Sequence, residues 1–284
     1  MESMHAVKRR IRSIENTRQI TRSMKLVAAS KLRRTQSLGR ALGDYAIRSR
    51  EMLSAVLASP GKNENPYLRP ASGRGRVMYV LFVGNRGLCG TYNHAVLKYM
   101  RELAENDERE SEVVVCGSWG GELIAAAKLN VVRTFGEISD TPSAPDAAEL
   151  TDYLKNAFVH DGVDEVILVY QKFNSVLSQS PTHSVLFPIA PSDSAGSTRQ
   201  YIFEPDRASL LDSLVELYIG STVYSTLLEA RTGEHASRMT AMTAAADNTE
   251  ALIAELNLKL NHARQSAITT EISEIEGGTA GMQS

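Results

Sequence analysis

Cysteine is scarce in this 284-residue chain: only Cys89 and Cys116 occur, and they form no CxxC pair. That excludes a disulfide scaffold, removes the usual zinc and dithiol motifs, and favours a reducing compartment. No apolar run approaches the roughly 20 residues that a membrane-spanning helix needs. The opening MESMHAVKRRIRS lacks the apolar stretch and small-residue cleavage site of a secretory signal. The 6 histidines are scattered without HExxH or comparable spacing, so no metal site is expected. GSWGG around Ser118 is not GxSxG, and no Ser-His-Asp set can be argued, so no catalytic residue is expected either. Proline is missing from both ends of the chain, all 9 lying between Pro60 and Pro205.

What is present is a charge asymmetry beneath a formal net charge of −2. Residues 1–50 carry 13 Lys and Arg against three acids, Glu2, Glu15 and Asp44, so the remainder is strongly acidic. A basic element of this kind seeks an acidic surface, its own or a partner's. At 43% hydrophobic residues the chain has enough apolar material for one or two domains with a real core.

The proline-free ends read as long helices. Met4, Val7, Ile11 and Ile14 step by three and four, Met24, Val27, Ala28 and Leu32 resume the stripe, and Leu42, Tyr45, Leu53 and Val56 extend it. SPGKNENPYLRP stops this helix near residue 59. A second helix starts at Pro205-Asp206 and is expected to stop at Gly277-Gly278, with Gly220 and Gly233 as places to bend. Between them RVMYVLFV (76–83), EVVVCG (112–117) and EVILVYQ (165–171) are short apolar runs of buried-strand type. Helical patterns lie at 93–105, 119–129 and 146–160, so the centre is a doubly wound, mainly parallel α/β domain. THSVLFPI (182–189) and RQYIFEP (199–205) are expected to pair as a late hairpin.

The resulting division is 1–59, 60–205 and 206–284. A compact body of the middle length has a diameter of about 40 Å, whereas the terminal helices would run roughly 90 and 105 Å at 1.5 Å per residue. Neither can bury its stripe on the body alone, so an antiparallel two-helix coiled coil is their natural arrangement. Residues 206–276, with 11 acids against five bases, complement the basic first helix.

Two motifs compete for a functional role. GNRGLCG, Gly84–Gly90, follows a strand and precedes a helix, where a phosphate cradle would sit. Its spacing is GxxGxxG, no Lys-Ser/Thr follows, and the second strand ends at Cys116-Gly117 without a ribose-binding acid, so a structural turn is favoured over a nucleotide-binding α/β protein. Cys89 is read as a small buried residue of that turn in preference to a nucleophile. The basic helix carries Lys8, Arg9, Arg10, Arg12, Arg18, Arg22, Lys25, Lys31, Arg33 and Arg34 against the single acid Glu15. A basic coiled-coil adaptor for nucleic acid or membrane is the alternative. No aromatic lies in residues 1–44 to stack bases and the stripe has no Trp or Phe for insertion, so neither nucleic acid nor direct membrane insertion is expected.

At this point the residues become recognisable. KRRIRSIENTRQITRSMKLVAASKLRR (8–34), GNRGLCGTYN (84–93) and RMTAMTAAADNTEALIAELNLKLNHARQSAITTEISEIEGG (238–278) resemble, in order along the chain, the gamma subunit of F-type ATP synthases. The resemblance implies a rotor whose coiled coil fills a ring of three alpha and three beta subunits and whose Rossmann-like body sits on the epsilon subunit and the membrane c-ring. Rotation driven by ion flow would force the beta sites through open, loose and tight states, and the subunit itself would need no cofactor and do no chemistry. On the same grounds Met24 and Lys25 would face the acidic torque-transmitting loop of beta. Arg238 would lie in the facing helix segment, and Arg264, Gln265 and Thr269 would contact catalytic-subunit loops. The cysteine-bearing insertion of the chloroplast form is missing, and the start of the sequence suggests a bacterial subunit, peripheral on the cytoplasmic face of the cell membrane.

Overall fold

A computed structural model describes residues 4–60, 64–71, 75–119, 121, 124, 127, 129–136, 138–190, 203–204 and 206–282. The chain runs α1 (Met4–Ala58), β1 (Arg76–Phe82), α2 (Tyr92–Glu105), β2 (Ser111–Cys116), β3 (Val131–Phe135), α3 (Ala144–His160), β4 (Val163–Ser175), β5 (Ser178–Phe187) and α4 (Arg207–Met282). It divides into two compact units, Ala28–Arg238 and Met1–Val27 with Met239–Ser284.

The larger unit is built on a five-stranded sheet in the order β3-β2-β1-β4-β5. β1 pairs parallel with β2 and β4, β2 pairs parallel with β3, and β5 closes the sheet antiparallel to β4. Alternation along the strands gives each face its own core. Met78, Val80, Phe82, Val114 and Leu168 face α3 (Leu150, Leu154, Phe158), the start of α4 (Leu211, Val215, Ile219) and the end of α1 (Leu53, Val56). Val77, Tyr79, Leu81, Val113, Val115 and Val169 face α2 (Val96, Leu97, Met100). Strands covered on both sides are expected to read as continuous apolar runs, and these do. α3 begins where Asp146 accepts the Ser143 N–H at 2.8 Å, and α4 begins where Asp206 accepts the Ser209 N–H at 2.9 Å, both stop–start signals of the capping kind.

In the smaller unit Val7 and Ile11 of α1 pack with Leu256 of α4, flanked by Ile14 and Leu260. Arg22 pairs with Glu250 at 3.0 Å, so residue numbers rise along one helix as they fall along the other. The two terminal helices are therefore antiparallel here, as expected.

Several expectations need correction. THSVLFPI pairs antiparallel with β4, a partner that was not foreseen: β5 continues straight out of the Val176-Leu177 turn and registers Val185 on Ile167. The expected hairpin with 199–205 falls outside the described residues. Residues 199–202 and 205 lie outside the described residues, as does most of the helix expected at 119–129. β3 was not foreseen, since its burial pattern is almost wholly exposed and only Phe135 is buried. α4 passes through Gly277-Gly278 to Met282, because glycine costs a helix only about 1 kcal/mol and does not end it unaided. It also stays helical at Gly220 and Gly233. Gly233 has a packing role: a Cβ there would lie 3.1 Å from the Gln171 carbonyl oxygen, so the glycine lets β4 approach the helix. The α1 stripe holds at Val7, Ile11, Ala28, Leu32, Leu53 and Val56, while Val27 and Tyr45 turn outward.

Candidate functional site

The crevice beyond the carboxyl ends of the strands, beside the point where strand order reverses between β1 and β4, is where open α/β sheets bind ligands. GNRGLCG lies there, and α4 fills it. Arg231 and Glu234 are 3% and 1% exposed and meet at 2.6 Å. Arg231 also donates to the Val83 carbonyl (3.3 Å), the Asn85 side-chain oxygen (2.8 Å) and the Ile138 carbonyl (3.3 Å). Arg238 takes the other Glu234 oxygen at 2.7 Å and reaches the carbonyls of Arg86 (3.2 Å) and Gly87 (3.4 Å). Burial pushes the Glu234 carboxyl upward, but the Arg231 and Arg238 guanidiniums outweigh it and hold the group below the usual range, hence ionised.

The turn is shaped for this filling. Gly84 donates to Asn93 at 2.8 Å, and a Cβ on Gly84 would sit 2.8 Å from the Glu234 Oε1. Gly117 has φ +127°, and a Cβ there would overlap the Val83 carbonyl oxygen. Leu88 adopts φ 60° and is 63% exposed. Cys89 is buried, and burial raises its thiol above the ordinary value. The same cause pushes Cys116 up to about 12. Both are neutral thiols, which is a packing state and not a nucleophile's. Acceptors line the crevice and guanidiniums occupy it, which is the reverse of a phosphate cradle.

A strap from Ile138 to Pro142 binds this region to both long helices. Lys31 of α1 pairs with Asp140. His235 Nε2 lies 2.8 Å from the Asp140 carbonyl oxygen, and Tyr224 donates to the Pro142 carbonyl at 3.2 Å. His235 is buried, which lowers its pKa, and its Nδ1 has no hydrogen-bond partner. Among the described residues no group of three or more His, Cys, Asp or Glu is gathered to hold a metal ion.

The residues singled out from sequence fall in both units. Met24 and Lys25 are half-buried on α1 of the smaller unit, beside exposed Ile20, Leu26 and Val27. Arg264, Gln265 and Thr269 are exposed on α4 of the same unit, with Thr269 donating to the Gln265 carbonyl at 2.9 Å. No hydrogen bond or ion pair joins the α1 pair to the α4 trio among the described residues. Arg238 belongs to the larger unit and spends its guanidinium on Glu234 and the turn. Arg231, Glu234 and His235 were missed. Their signal was legible: RxxE and ExxxR put three charges on one face of a stretch otherwise written in small and apolar residues.

The class is an α/β body, its crevice at the strand ends filled by its own charged side chains, in a chain that begins and ends in long helices. The family model described as ATP synthase matches residues 3–282. The chain is 37% identical to the ATP synthase gamma chain of Desulfitobacterium hafniense and 36% identical to that of Halothermothrix orenii, over the whole of each. Its fold is similar to the rotor of Euglena gracilis mitochondrial ATP synthase, with TM-score 0.67 and 18% identity, covering 93% of this chain and 98% of that one. It is similar also to a chain of the central stalk and c-ring of Tetrahymena thermophila mitochondrial ATP synthase, with TM-score 0.58 and 26% identity, covering 80% and 99%. The chain belongs to the ATP synthase gamma family, as a non-catalytic subunit of the central stalk. No helix among the described residues is long and apolar enough to cross a membrane.

Proposed function

We propose that this chain is the rotor that couples transmembrane ion flow to ATP synthesis and hydrolysis in a ring of three alpha and three beta subunits. The carrying observation is similarity to bacterial gamma chains along the full length of both sequences. In this reading residues 1–59 and 206–284 form the shaft and 60–205 the body, which rests on the epsilon subunit and the membrane c-ring at the cytoplasmic face of a bacterial membrane. Met24, Lys25, Arg264, Gln265 and Thr269 meet loops of the catalytic ring, and Arg238 supports the facing segment. Exposed apolar residues beside exposed cations on α1 support a partner that is both acidic and apolar in places. The nucleotide-binding alternative loses its crevice to Arg231 and Glu234, and no observation favours the nucleic-acid adaptor.

The test is isolation of the membrane complex through a tag on this chain, expecting alpha, beta and epsilon subunits in fixed ratio. In that complex Met24→Lys adds a cation beside Lys25, so an acidic loop would grip one rotational state more tightly. Ion transport per ATP should then fall more than ATP hydrolysis. Equal loss of both would count against the assigned contact.

A further inference from the structure

The hydrogen bonding of the GNRGLCG turn has a direction. All five carbonyls from Val83 to Gly87 accept a hydrogen bond. Val83 accepts from Arg231, Gly84 from the Trp119 amide, Asn85 from the Ser118 hydroxyl, and Arg86 and Gly87 from Arg238. Carbonyls of a surface turn are ordinarily left to water. Here two guanidiniums of one helix hold three of them, and a single carboxylate, Glu234, divides its two oxygens between those guanidiniums. Arg231 extends the grip to the Ile138 carbonyl, so turn and strap share one anchor.

Such a cluster is a poor device for stability alone, since well-packed apolar side chains commonly do as well. Its distinctive property is angular. Apolar packing tolerates rotation of a helix by a few degrees, whereas fixed donors at 231 and 238, joined through the Glu234 carboxylate and reaching named carbonyls, define one rotational phase of α4 against the sheet.

We propose that Arg231, Glu234 and Arg238 are positioning residues, a buried charge clamp that fixes the rotational phase of the C-terminal helix on the α/β body so that torque passes between them without slip. This rests on the rotor reading, and within it the turn is an internal joint. The clamp acts through backbone of the same subunit, so its loss should leave nucleotide chemistry in place and degrade transmission.

The experiment uses the assembled ATP synthase with spin labels at Leu88→Cys in the turn and Ser213→Cys on α4. ATP-driven ion pumping by the labelled parent tests the rotor reading itself, independently of the clamp. Glu234→Gln should widen the label-to-label distance distribution at least twofold and lower ions moved per ATP at least twofold, with hydrolysis less affected. Glu234→Gln with Arg238→Met removes the surplus buried charge, and should recover thermal stability while the distribution stays wide. If Glu234→Gln fails to assemble, Arg238→Met alone decides, with a smaller widening expected. A distribution of parental width in whichever of these variants assembles, or its return to parental width in the double variant, overturns the proposal.

Discussion

The two compact units stabilise themselves in opposite ways. Ala28–Arg238 wraps helices over both faces of a sheet and buries whole aromatic and aliphatic side chains such as Tyr79, Phe82 and Phe158. The unit of 1–27 and 239–284 has a seam centred on Val7, Ile11 and Leu256, while Ile20, Leu258, Ile268, Ile272 and Ile275 are 44–69% exposed. One half has two buried cores beneath exposed residues such as Ile47 and Leu177, and the other has a single narrow seam. A helix pair this thin gains little from propensity and depends on the packing of its faces. The comparison teaches where autonomy lies: the body buries a core of its own, and the helix pair has only a seam.

The largest contrast should come from charge. Glu234→Gln leaves two buried guanidiniums without their shared counterion, and should cost the body about 3–5 kcal/mol in urea denaturation. Arg22→Ala breaks an ion pair whose partners are 55% and 61% exposed, and should cost under about 1 kcal/mol. Core truncation should separate the units next. Leu154→Ala, at a fully buried position of α3, should cost about 3–4 kcal/mol, against about 2 for Leu256→Ala, whose two-helix surroundings can relax. Equal costs would break the comparison.

Hydrogen exchange sharpens it further. In the free subunit amides across 264–276 should exchange far faster than those of β1 and β4, and should slow on assembly with the catalytic ring. Strong protection there without partners would show that the tip stabilises itself. Truncation after residue 276 should accordingly be tolerated, and truncation near 264 should weaken assembly.

Acid should strike the body first. His235 has a lowered pKa, so below about pH 6.5 the unfolded chain takes up a proton that the folded chain resists, and stability falls with pH. Glu234 is likewise depressed, so its contribution is present above the ordinary carboxylate pKa of about 4.3 and is lost as pH falls through its folded value. Urea midpoints of the body measured from pH 7 to 4 should decline, and His235→Gln should flatten the upper part of that decline. The smallest effect is Cys89→Ser, about 1 kcal/mol of packing with unchanged hydrolysis in the assembled complex. Alkylation of Cys89 should be slow until the protein unfolds, because burial keeps it a thiol.

Strands and long helices were legible because their signals are local. RVMYVLFV and EVILVYQ carry the continuous apolar pattern that a sheet covered on both faces demands, and Val7 and Ile11 keep helical spacing. β3 was illegible since four of its five residues are exposed, so no pattern of burial marks VVRTF. The pairing of β5 with β4 was not foreseen because pairing is decided by register across the sheet, and nothing within THSVLFPI names β4. GNRGLCG shows the sharper limit. Its glycines were rightly read as room for a close approach, but the approaching group, Glu234, stands 150 residues along the chain. Spacing reveals that a space exists and is silent on what enters it.

That close fit has a consequence for how such a sequence drifts. At Gly84 a single added carbon would meet Glu234, and at Gly117 it would meet the Val83 and Gly84 carbonyls. Arg231 can be neither shortened nor moved without leaving one oxygen of the buried Glu234 carboxylate without its guanidinium. Each of these positions is therefore intolerant of one-step change, and accessible alternatives require two or more compatible replacements at once. In a saturation library this patch should stand out as a tight block of depleted substitutions, while Leu258, Ile268 and Ile272, which are exposed, should exchange freely among apolar residues. The history of the sequence would then be written at two speeds, with the slow one set by a few cubic ångströms between a strand end and a helix.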